Sequence, residues 1–311
     1  MKFLFLFMDG IGFGENDPAT NPFAAAKTPN IDALLGGARL VAGSTPLETE
    51  RASLLALDAN LGMPGLPQSA TGQAALLTGK NVPKIVGEHY GPKPNKPVAA
   101  VINEDNLFKQ LSQRGYRSTL LNAYPPMYFK GIESGKRLLS AIPLAVTSAG
   151  IALKTHEDMQ HGDGFSADFT GEGWRSQLGF TDAPLHTPPQ AGRRLAEVTR
   201  SYDLAFFEFW PSDYAGHKQD HEGAVSLLEH FDRVMGGLLE AWNDDEGLVL
   251  ITSDHGNMED LTRRTHTNNP VPALVIGAPA LRQQFCAGLH DLSQVTPAIL
   301  QFYPPKDALT N

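Results

Sequence analysis

The sequence predicts an α/β fold, a doubly wound and mostly parallel sheet with helices on both faces and a smaller inserted cap domain. Short apolar runs recur along the chain and end in polar or glycine-containing turns, as parallel strands do when both of their faces are covered. Segments with helical periodicity lie between them, which is the βαβ alternation of a sheet covered on two sides. A proline- and glycine-rich segment interrupts this alternation in the middle of the chain and indicates the insertion.

The individual elements follow from this alternation. Where apolar residues predominate we expect buried parallel strands, at residues 3–8, 204–209, 248–252 and 272–276. Where apolar residues recur every three or four positions we expect helices, at residues 30–35, 70–77, 223–242 and 294–302. The helical period is clearest in the third of these segments.

Prolines and a loop-like stretch characterise residues 85–195. We predict that this segment forms the cap domain and that residues 1–84 and 196–311 together form the core. Loops on a rigid scaffold commonly control access to a site, and we expect the cap to do so here.

Composition excludes several classes of protein. The 311 residues carry 25 Lys and Arg against 34 Asp and Glu, a formal charge of -9, so no basic field exists to hold a nucleic acid. A single Cys excludes a disulfide framework. The apolar start is too short for a signal peptide, and no stretch approaches the ~20 apolar residues of a membrane span. We expect a cytoplasmic protein without nucleic-acid or membrane partners, and the sequence leaves its oligomeric state open.

Polar clusters follow three of the predicted strands. Asp9 begins the first, Asp213 and His217 form the second, and Asp254 with His255 forms the third. Ligands of open α/β sheets bind beyond the carboxyl ends of the strands, so these clusters can converge. With His266, just before the strand at 272–276, they give six potential ligands of two adjacent zinc or manganese ions.

Each cluster also has a purely structural interpretation. An Asp-His pair at a strand end is often a hydrogen-bonded turn, and Asp213-x-x-x-His217 could be a helix start. Gly10-x-Gly12-x-Gly14 departs from the spacing of a dinucleotide-binding loop. The joint occurrence of all six residues favours metal binding.

Ser69 precedes the predicted helix at 70–77 and could simply be its N-cap, which is the better interpretation of the residue taken alone. The start of a helix also favours an anion or an alkoxide. Beside two metal ions, Ser69 is better explained as a nucleophile.

These segments resemble the alkaline phosphatase superfamily, in the branch of cofactor-independent phosphoglycerate mutase and phosphopentomutase. The residues from Ser69 to Gly79 are similar to the serine segment of those mutases and to the sulfatase segment C-x-P-S-R-x-x-x-L-T-G. The segments around Asp9, Asp254 and His266 resemble the mutase signatures near the two ends of the family's sequences. The resemblance implies an alkaline phosphatase-like core over residues 1–84 and 196–311.

The resemblance further implies a division of the ligands. One metal would be held by Asp213, His217 and His266, and the second by Asp9, Asp254, His255 and the Ser69 oxygen. Ser69 would attack phosphorus in line and form a phosphoserine. Water would then complete a hydrolysis, whereas another hydroxyl of the same substrate would complete a mutase reaction.

Two departures bear on the substrate. The inserted segment is too short for the large second domain of phosphoglycerate mutase, which counts against that exact activity. Gln73 stands where those mutases have His and sulfatases have Arg, so the residue expected to bind phosphate is neutral; we predict Gln73 and the nearby cation Lys80 as substrate contacts.

The favoured prediction is a two-metal enzyme that hydrolyses small phosphomonoesters through Ser69. The main alternative is a phosphomutase of the phosphoglycerate mutase or phosphopentomutase type. A sulfatase or a phosphodiesterase is a further alternative, although Thr71 and Gln73 replace residues that sulfatases need. The last alternative is a non-catalytic metal-binding scaffold. The presence of all seven predicted positions, the six ligands and Ser69, counts against it.

Overall fold

A seven-stranded sheet lies at the centre of the computed structural model, which describes residues 1–306. The last five residues of the predicted core segment 196–311 lie outside this range. The strands are β1 (Lys2–Met8), β2 (Leu47–Glu48), β3 (Ala52–Leu57), β4 (Ser118–Leu120), β5 (Leu204–Phe209), β6 (Gly247–Thr252) and β7 (Val271–Ile276).

Helices cover both faces of the sheet, as predicted. They are α1 (Pro22–Ala25), α2 (Pro29–Leu34), α3 (Ser69–Thr78), α4 (Val82–Val86), α5 (Lys96–Glu104), α6 (Leu107–Gln113), α7 (Pro126–Glu133), α8 (Ala141–Ser148), α9 (His156–Gln160), α10 (Glu172–Ser176), α11 (Pro188–Thr199), α12 (Pro211–Lys218), α13 (His221–Ala241), α14 (Pro279–Cys286) and α15 (Val295–Leu300), the last preceded by a 3-10 turn at Leu292–Gln294. Within residues 1–306, no helix has both the length and the apolar character that crossing a membrane requires.

The strand order is β2-β3-β7-β6-β1-β5-β4. β1 pairs in parallel with β5 and β6, and β4 pairs in parallel with β5. The prediction of a parallel strand at 272–276 is wrong in direction, because β7 runs antiparallel to both β6 and β3. Residues 253–270 contain no helix, and parallel strands need a crossover connection that is usually helical.

Both faces of β1 are buried, and alternate residues feed two separate hydrophobic clusters. Phe3, Phe5 and Phe7 pack with residues of α3, α5, α6 and α8. Leu4, Leu6 and Met8 pack with residues of α2, α11 and α13. The doubly wound arrangement thus follows from a strand that is apolar at every position.

The segment predicted as a cap is partly integrated into this architecture. β4 is an edge strand of the central sheet, and the predicted boundary at 195 falls inside α11, which packs against α13. A small third cluster, of Ala123, Met159, Trp174 and Ala183, lies within the segment. The division into core and cap domain stays a prediction, and β4 and α11 pack with the core.

Candidate metal centre

The predicted ligands converge at the carboxyl ends of β1, β5 and β6. Asp9 follows β1 directly, Asp254 and His255 follow β6, and Asp213 and His217 lie on α12 just after β5. The antiparallel direction of β7 explains the position of His266. Because β7 begins at the edge where β6 ends, the residues that precede β7 reach the same site.

One cluster consists of Asp213, His217 and His266. Nε2 of His217 lies 3.3 Å from Oδ2 of Asp213, and Nε2 of His266 lies 3.8 Å from Oδ1 of Asp213. The helical spacing of i and i+4 places Asp213 and His217 on one face of α12. This is the set that the resemblance assigns to the first metal.

Backbone carbonyls orient both imidazoles of this cluster. Nδ1 of His217 donates to the carbonyl oxygen of Arg264, and Nδ1 of His266 donates to that of Pro67, each at 2.7 Å. Each Nε2 therefore carries a lone pair, and the two Nε2 atoms face each other at 3.3 Å. A shared cation stabilises such an arrangement, and a carbonyl behind the ring is the usual support of a metal-bound histidine.

A second cluster forms around His255. Its Nε2 lies 3.0 Å from Oγ of Ser69, 3.4 Å from Oδ1 of Asp9 and 3.6 Å from Oδ2 of Asp254. Oδ1 of Asp9 is buried and accepts no hydrogen bond. Asp213 also lies close, since ligand atoms of Asp9, Asp213 and His255 fall within 4.8 Å of one another. Asp213 therefore stands between the two clusters.

Two glycines permit this close packing. Gly10 has a positive φ of 67°, and a Cβ built on it would lie 2.6 Å from Oδ1 of Asp213. A Cβ on Gly72, within α3, would lie 2.7 Å from the carbonyl oxygen of Asp254. A side chain at either position would displace a predicted ligand.

The charges in the centre are poorly compensated by the protein. Burial, and then repulsion by Asp254 and Asp213, raises the pKa of Asp9 well above its ordinary value. Burial and repulsion by Asp213 raise the pKa of Asp254 to about 7. Burial and the neighbouring His266 lower the pKa of His255 to about 3. Two carboxylates that resist ionisation beside an imidazole, that of His255, that resists protonation fit a site for divalent cations.

Ser69 is the first residue of α3 and not its N-cap. Gln68 occupies the N-cap position, so the hydroxyl of Ser69 is free to contact His255 and does not cap the helix. The first turn of α3 directs backbone N–H groups toward this region. The observed position fits the predicted nucleophile, whose role stays a prediction.

The two predicted substrate contacts differ in position. Nε2 of Gln73 donates to Oδ2 of Asp254 at 3.0 Å, and its buried Oε1 has no hydrogen-bond partner. Lys80 is not brought to the centre, so its position lends no support to its assignment as a substrate contact, which stays a prediction. It follows the far end of α3, roughly 15 Å from Ser69 by the rise of an α-helix, and pairs there with Glu104 at 2.6 Å.

Sequence reasoning missed three buried polar residues around the centre. Glu208 is buried on β5, where burial and the charge of Asp254 raise its pKa to about 7. Asn257 donates from Nδ2 to Oδ1 of Asp213 at 2.6 Å. Glu259 is buried among the ligand-bearing loops. A lone acid within an otherwise apolar strand was the available signal for Glu208.

Comparisons with known proteins identify a family and several relatives that this chain resembles. The family described as Metalloenzyme superfamily matches residues 164–304. The 2,3-bisphosphoglycerate-independent phosphoglycerate mutase of Cereibacter sphaeroides (strain ATCC 17029) is 29% identical over 132 residues, which are 40% of this chain and 26% of that protein. The enzyme of the same name from Acetivibrio thermocellus is 33% identical over 115 residues, 35% of this chain and 22% of that protein. The match thus spans about a quarter of the length of these curated relatives.

Solved structures share the fold across nearly the whole chain. The PH0037 protein of Pyrococcus horikoshii has a TM-score of 0.57 at 16% identity, with 97% of this chain and 96% of that chain covered. The alkaline phosphatase of the Antarctic bacterium TAB5 has a TM-score of 0.51 at 12% identity, with 96% of each chain covered. The phosphoglycerate mutase of Leishmania mexicana has a TM-score of 0.50 at 13% identity, with 98% and 96% covered.

Family match, fold and relatives point to one class: residues 164–304 match the Metalloenzyme superfamily, and the fold is shared with an alkaline phosphatase across nearly the whole chain. The part matched by the curated relatives resembles the 2,3-bisphosphoglycerate-independent phosphoglycerate mutases.

Proposed function

We propose that this protein is a metal-dependent phosphoryl-transfer enzyme that acts on a small phosphorylated compound through a phosphoserine on Ser69. The observation that carries this proposal is the position of Ser69. Its Oγ lies at the start of α3, 3.0 Å from Nε2 of His255 and beside the carboxylates of Asp9 and Asp254.

Ser69 has the groups that a nucleophile needs around it. Nδ1 of His255 faces the carbonyl oxygen of Gly256 at 3.4 Å, so its Nε2 offers a lone pair toward the hydroxyl. As Oγ of Ser69 bonds to phosphorus, the bond from phosphorus to the leaving oxygen breaks, and the proton lost from the Ser69 hydroxyl is balanced by one that the leaving oxygen takes up from solvent. The positive end of the α3 dipole favours the anionic phosphoryl group at this position.

Two divalent ions, zinc or manganese, would complete the centre. Asp213, His217 and His266 would hold one, and Asp9, Asp254, His255 and Ser69 would hold the other. When bound, such ions supply charge stabilisation to the phosphoryl oxygens and lower the pKa of an attached hydroxyl. Two cations also explain how a protein with a net charge of -9 can attract a phosphate.

Between the two possible fates of the phosphoserine, we favour transfer to another hydroxyl, a phosphomutase reaction. This reverses the preference for hydrolysis that the sequence alone suggests. The support is the set of relatives, since the curated proteins that match are phosphoglycerate mutases by name. Hydrolysis is the second candidate, supported by the alkaline phosphatase whose fold matches almost the whole chain. The cytoplasmic location stays a prediction.

Metal-reconstituted activity tests the proposal. Wild type and Ser69→Ala, loaded with manganese or zinc, are incubated with 3-phosphoglycerate, sugar phosphates, p-nitrophenyl phosphate, its bis-ester and p-nitrophenyl sulfate. Phosphorus NMR follows free phosphate and isomerised product. We expect Ser69→Ala to retain both metals and to lose at least about 10³-fold in turnover. Ser53→Ala is the matched control, since Ser53 is a buried serine on β3 that contacts Glu48.

The products separate the alternatives. Isomer without free phosphate supports the mutase, and Ser69-dependent phosphate release supports hydrolysis. Ser69-dependent turnover of the bis-ester or the sulfate would indicate a diesterase or a sulfatase. Bound metals without turnover on any of these compounds, or turnover that survives in Ser69→Ala, would contradict the proposal.

A further inference from the structure

Glu259 is almost completely buried and has no place in the predicted ligand set, yet its carboxylate is fully hydrogen-bonded. It is 1% exposed. Oε2 accepts from the backbone N–H groups of Gly12 at 3.0 Å and Asn257 at 2.7 Å. Oε1 accepts from Nδ2 of Asn269 at 3.1 Å and from the hydroxyl of Thr267. Burial of a carboxylate is costly unless such partners are present.

The four donors come from the loop after β1 and from the two ends of the connection between β6 and β7, and each of these stretches carries a predicted ligand. Gly12 lies three residues after Asp9, and Asn257 lies two residues after His255. Thr267 directly follows His266. One carboxylate therefore ties the loop after β1 to both ends of the β6–β7 connection, in which Glu259 itself lies.

Asn257 extends these contacts to α12, which carries the predicted ligands Asp213 and His217. While its backbone N–H is held by Glu259, its side-chain Nδ2 donates to Oδ1 of Asp213 at 2.6 Å and to the backbone oxygen of Asp213 at 3.2 Å. The orientation of the Asp213 carboxylate thus depends on the position of Asn257.

Space for the carboxylate is created by glycine. A Cβ on Gly12 would lie 2.7 Å from Oε1 of Glu259, so a side chain at that position would displace the carboxylate. The packing admits Glu259 only because the backbone of the first loop can come this close.

We propose that Glu259 is a positioning residue that fixes the ligand-bearing loops relative to one another and so sets the geometry of the metal centre. The inference rests on the proposed function, because it concerns the same centre. It assigns no contact with a metal or a substrate to Glu259. Hydrogen-bonding groups behind metal ligands typically change metal affinity by 10–100-fold.

Glu259→Gln tests this role against a matched control. The variant keeps the size of the side chain but replaces one acceptor oxygen with a donor. Asp232→Asn is the control, since Asp232 is also buried and its carboxylate accepts from the backbone N–H groups of Asn30 and Ile31, which belong to α2 and not to a ligand-bearing loop. Both variants remove a buried carboxylate charge, and only one of them touches the centre.

The readouts are metal affinity, from calorimetric titration of zinc into the metal-free protein, and the visible absorption spectrum of the cobalt-loaded protein. We expect Glu259→Gln to weaken at least one binding step by about 10–100-fold and to change the cobalt spectrum. Asp232→Asn should lower the melting temperature and leave the metal affinity and the cobalt spectrum unchanged. Thr267→Val removes one hydrogen-bond donor to Glu259 and keeps the shape of the side chain. It should weaken metal binding too, but by less than Glu259→Gln does. This variant tests the role if Glu259→Gln does not fold.

The outcomes distinguish a failure of the positioning role from a failure of the proposed function. Wild type that binds two ions, with Glu259→Gln unchanged in affinity and spectrum, would overturn the positioning role alone. An equal loss of affinity in Asp232→Asn would overturn it as well, because the effect would then be one of general stability. Wild type that binds no divalent ion would overturn the proposed function itself.

Discussion

The imidazole rings of His255 and His266 stack on each other, with centroids 3.7 Å apart and planes 13° apart. The two rings belong to different predicted metal positions, so the stack joins the two halves of the centre. His217, by contrast, is at the open side, where 44% of its side chain is exposed. The two histidines of the first cluster therefore differ in what their loss disturbs.

His266→Ala should release both metals, whereas His217→Ala should release one. The first change removes a ligand and also the ring that supports His255; the second removes a ligand only. Elemental analysis after dialysis of the loaded variants measures the bound metal. If both variants retained one tightly bound ion, the stack would not couple the two positions.

Stability of the metal-free protein should fall as the pH rises from about 6.5 to 8. The pKa values of Asp9, Asp254 and Glu208 are higher in the folded protein than in the unfolded chain. The stability that these three groups contribute is therefore fully present below their unfolded-state pKa values and is lost as the pH rises through their folded-state pKa values. His255 has a lowered pKa of about 3 and acts in the opposite direction, but only below about pH 6.5, the ordinary histidine value. Above that pH, the three carboxyl groups alone decide whether stability rises or falls with pH.

Thermal melts in chelator at a series of pH values measure this effect. Each proton retained by the folded state corresponds to about 1.4 kcal/mol per pH unit. Asp254→Asn should flatten the slope, and saturating zinc should abolish it. A melting temperature that rises with pH in chelator would contradict the assignment.

Gly72→Ala should destabilise the protein, although alanine normally stabilises a helix interior by about 1 kcal/mol relative to glycine. The added methyl would lie 2.7 Å from the carbonyl oxygen of Asp254 and 3.0 Å from its Cβ. We expect a lower melting temperature and weaker metal binding. Gly173→Ala in α10 is the control, because its Cβ would meet only the carboxylate tip of Asp168 at 3.3 Å. Equal melting temperatures for the two variants would contradict the close approach.

Lys80→Ala should leave activity and metal content unchanged. Its ammonium pairs with Glu104 at the far end of α3, and an exposed pair of this kind contributes little to stability. The measurement is kcat and KM of wild type and Lys80→Ala on the best substrate. A large increase in KM would restore Lys80 as a substrate contact.

Local patterns predicted the central strands and the main helices because burial on both faces leaves a continuous apolar signal, as in β1. The direction of β7 could not be predicted from its composition, since apolar strands look alike in either direction. That direction is nevertheless what brings His266 to the centre. β4 was missed because it has only three residues, Ser118–Leu120, two of them polar.

The site shows the same limit. The convergence of six predicted ligands could be predicted because ligand residue types cluster at strand ends: Asp9, Asp213, His217, Asp254, His255 and His266. Lys80 was predicted as a substrate contact because it is close to Ser69 in sequence, but along a helix that closeness becomes distance. Glu259 carries no signal of its own, because its role depends on which loops meet around it.

Asp9 and His266 are separated by most of the sequence, and β1 lies between strands that are formed much later in the chain. This arrangement determines the order in which the protein folds and binds metal. The metal position that includes Asp9 and His255 cannot assemble until β1 has paired with β6, so long-range pairing must precede high-affinity uptake of metal at that position. Uptake of the ions is therefore a late event in folding, and the kinetics of metal capture during refolding should report on completion of the whole sheet.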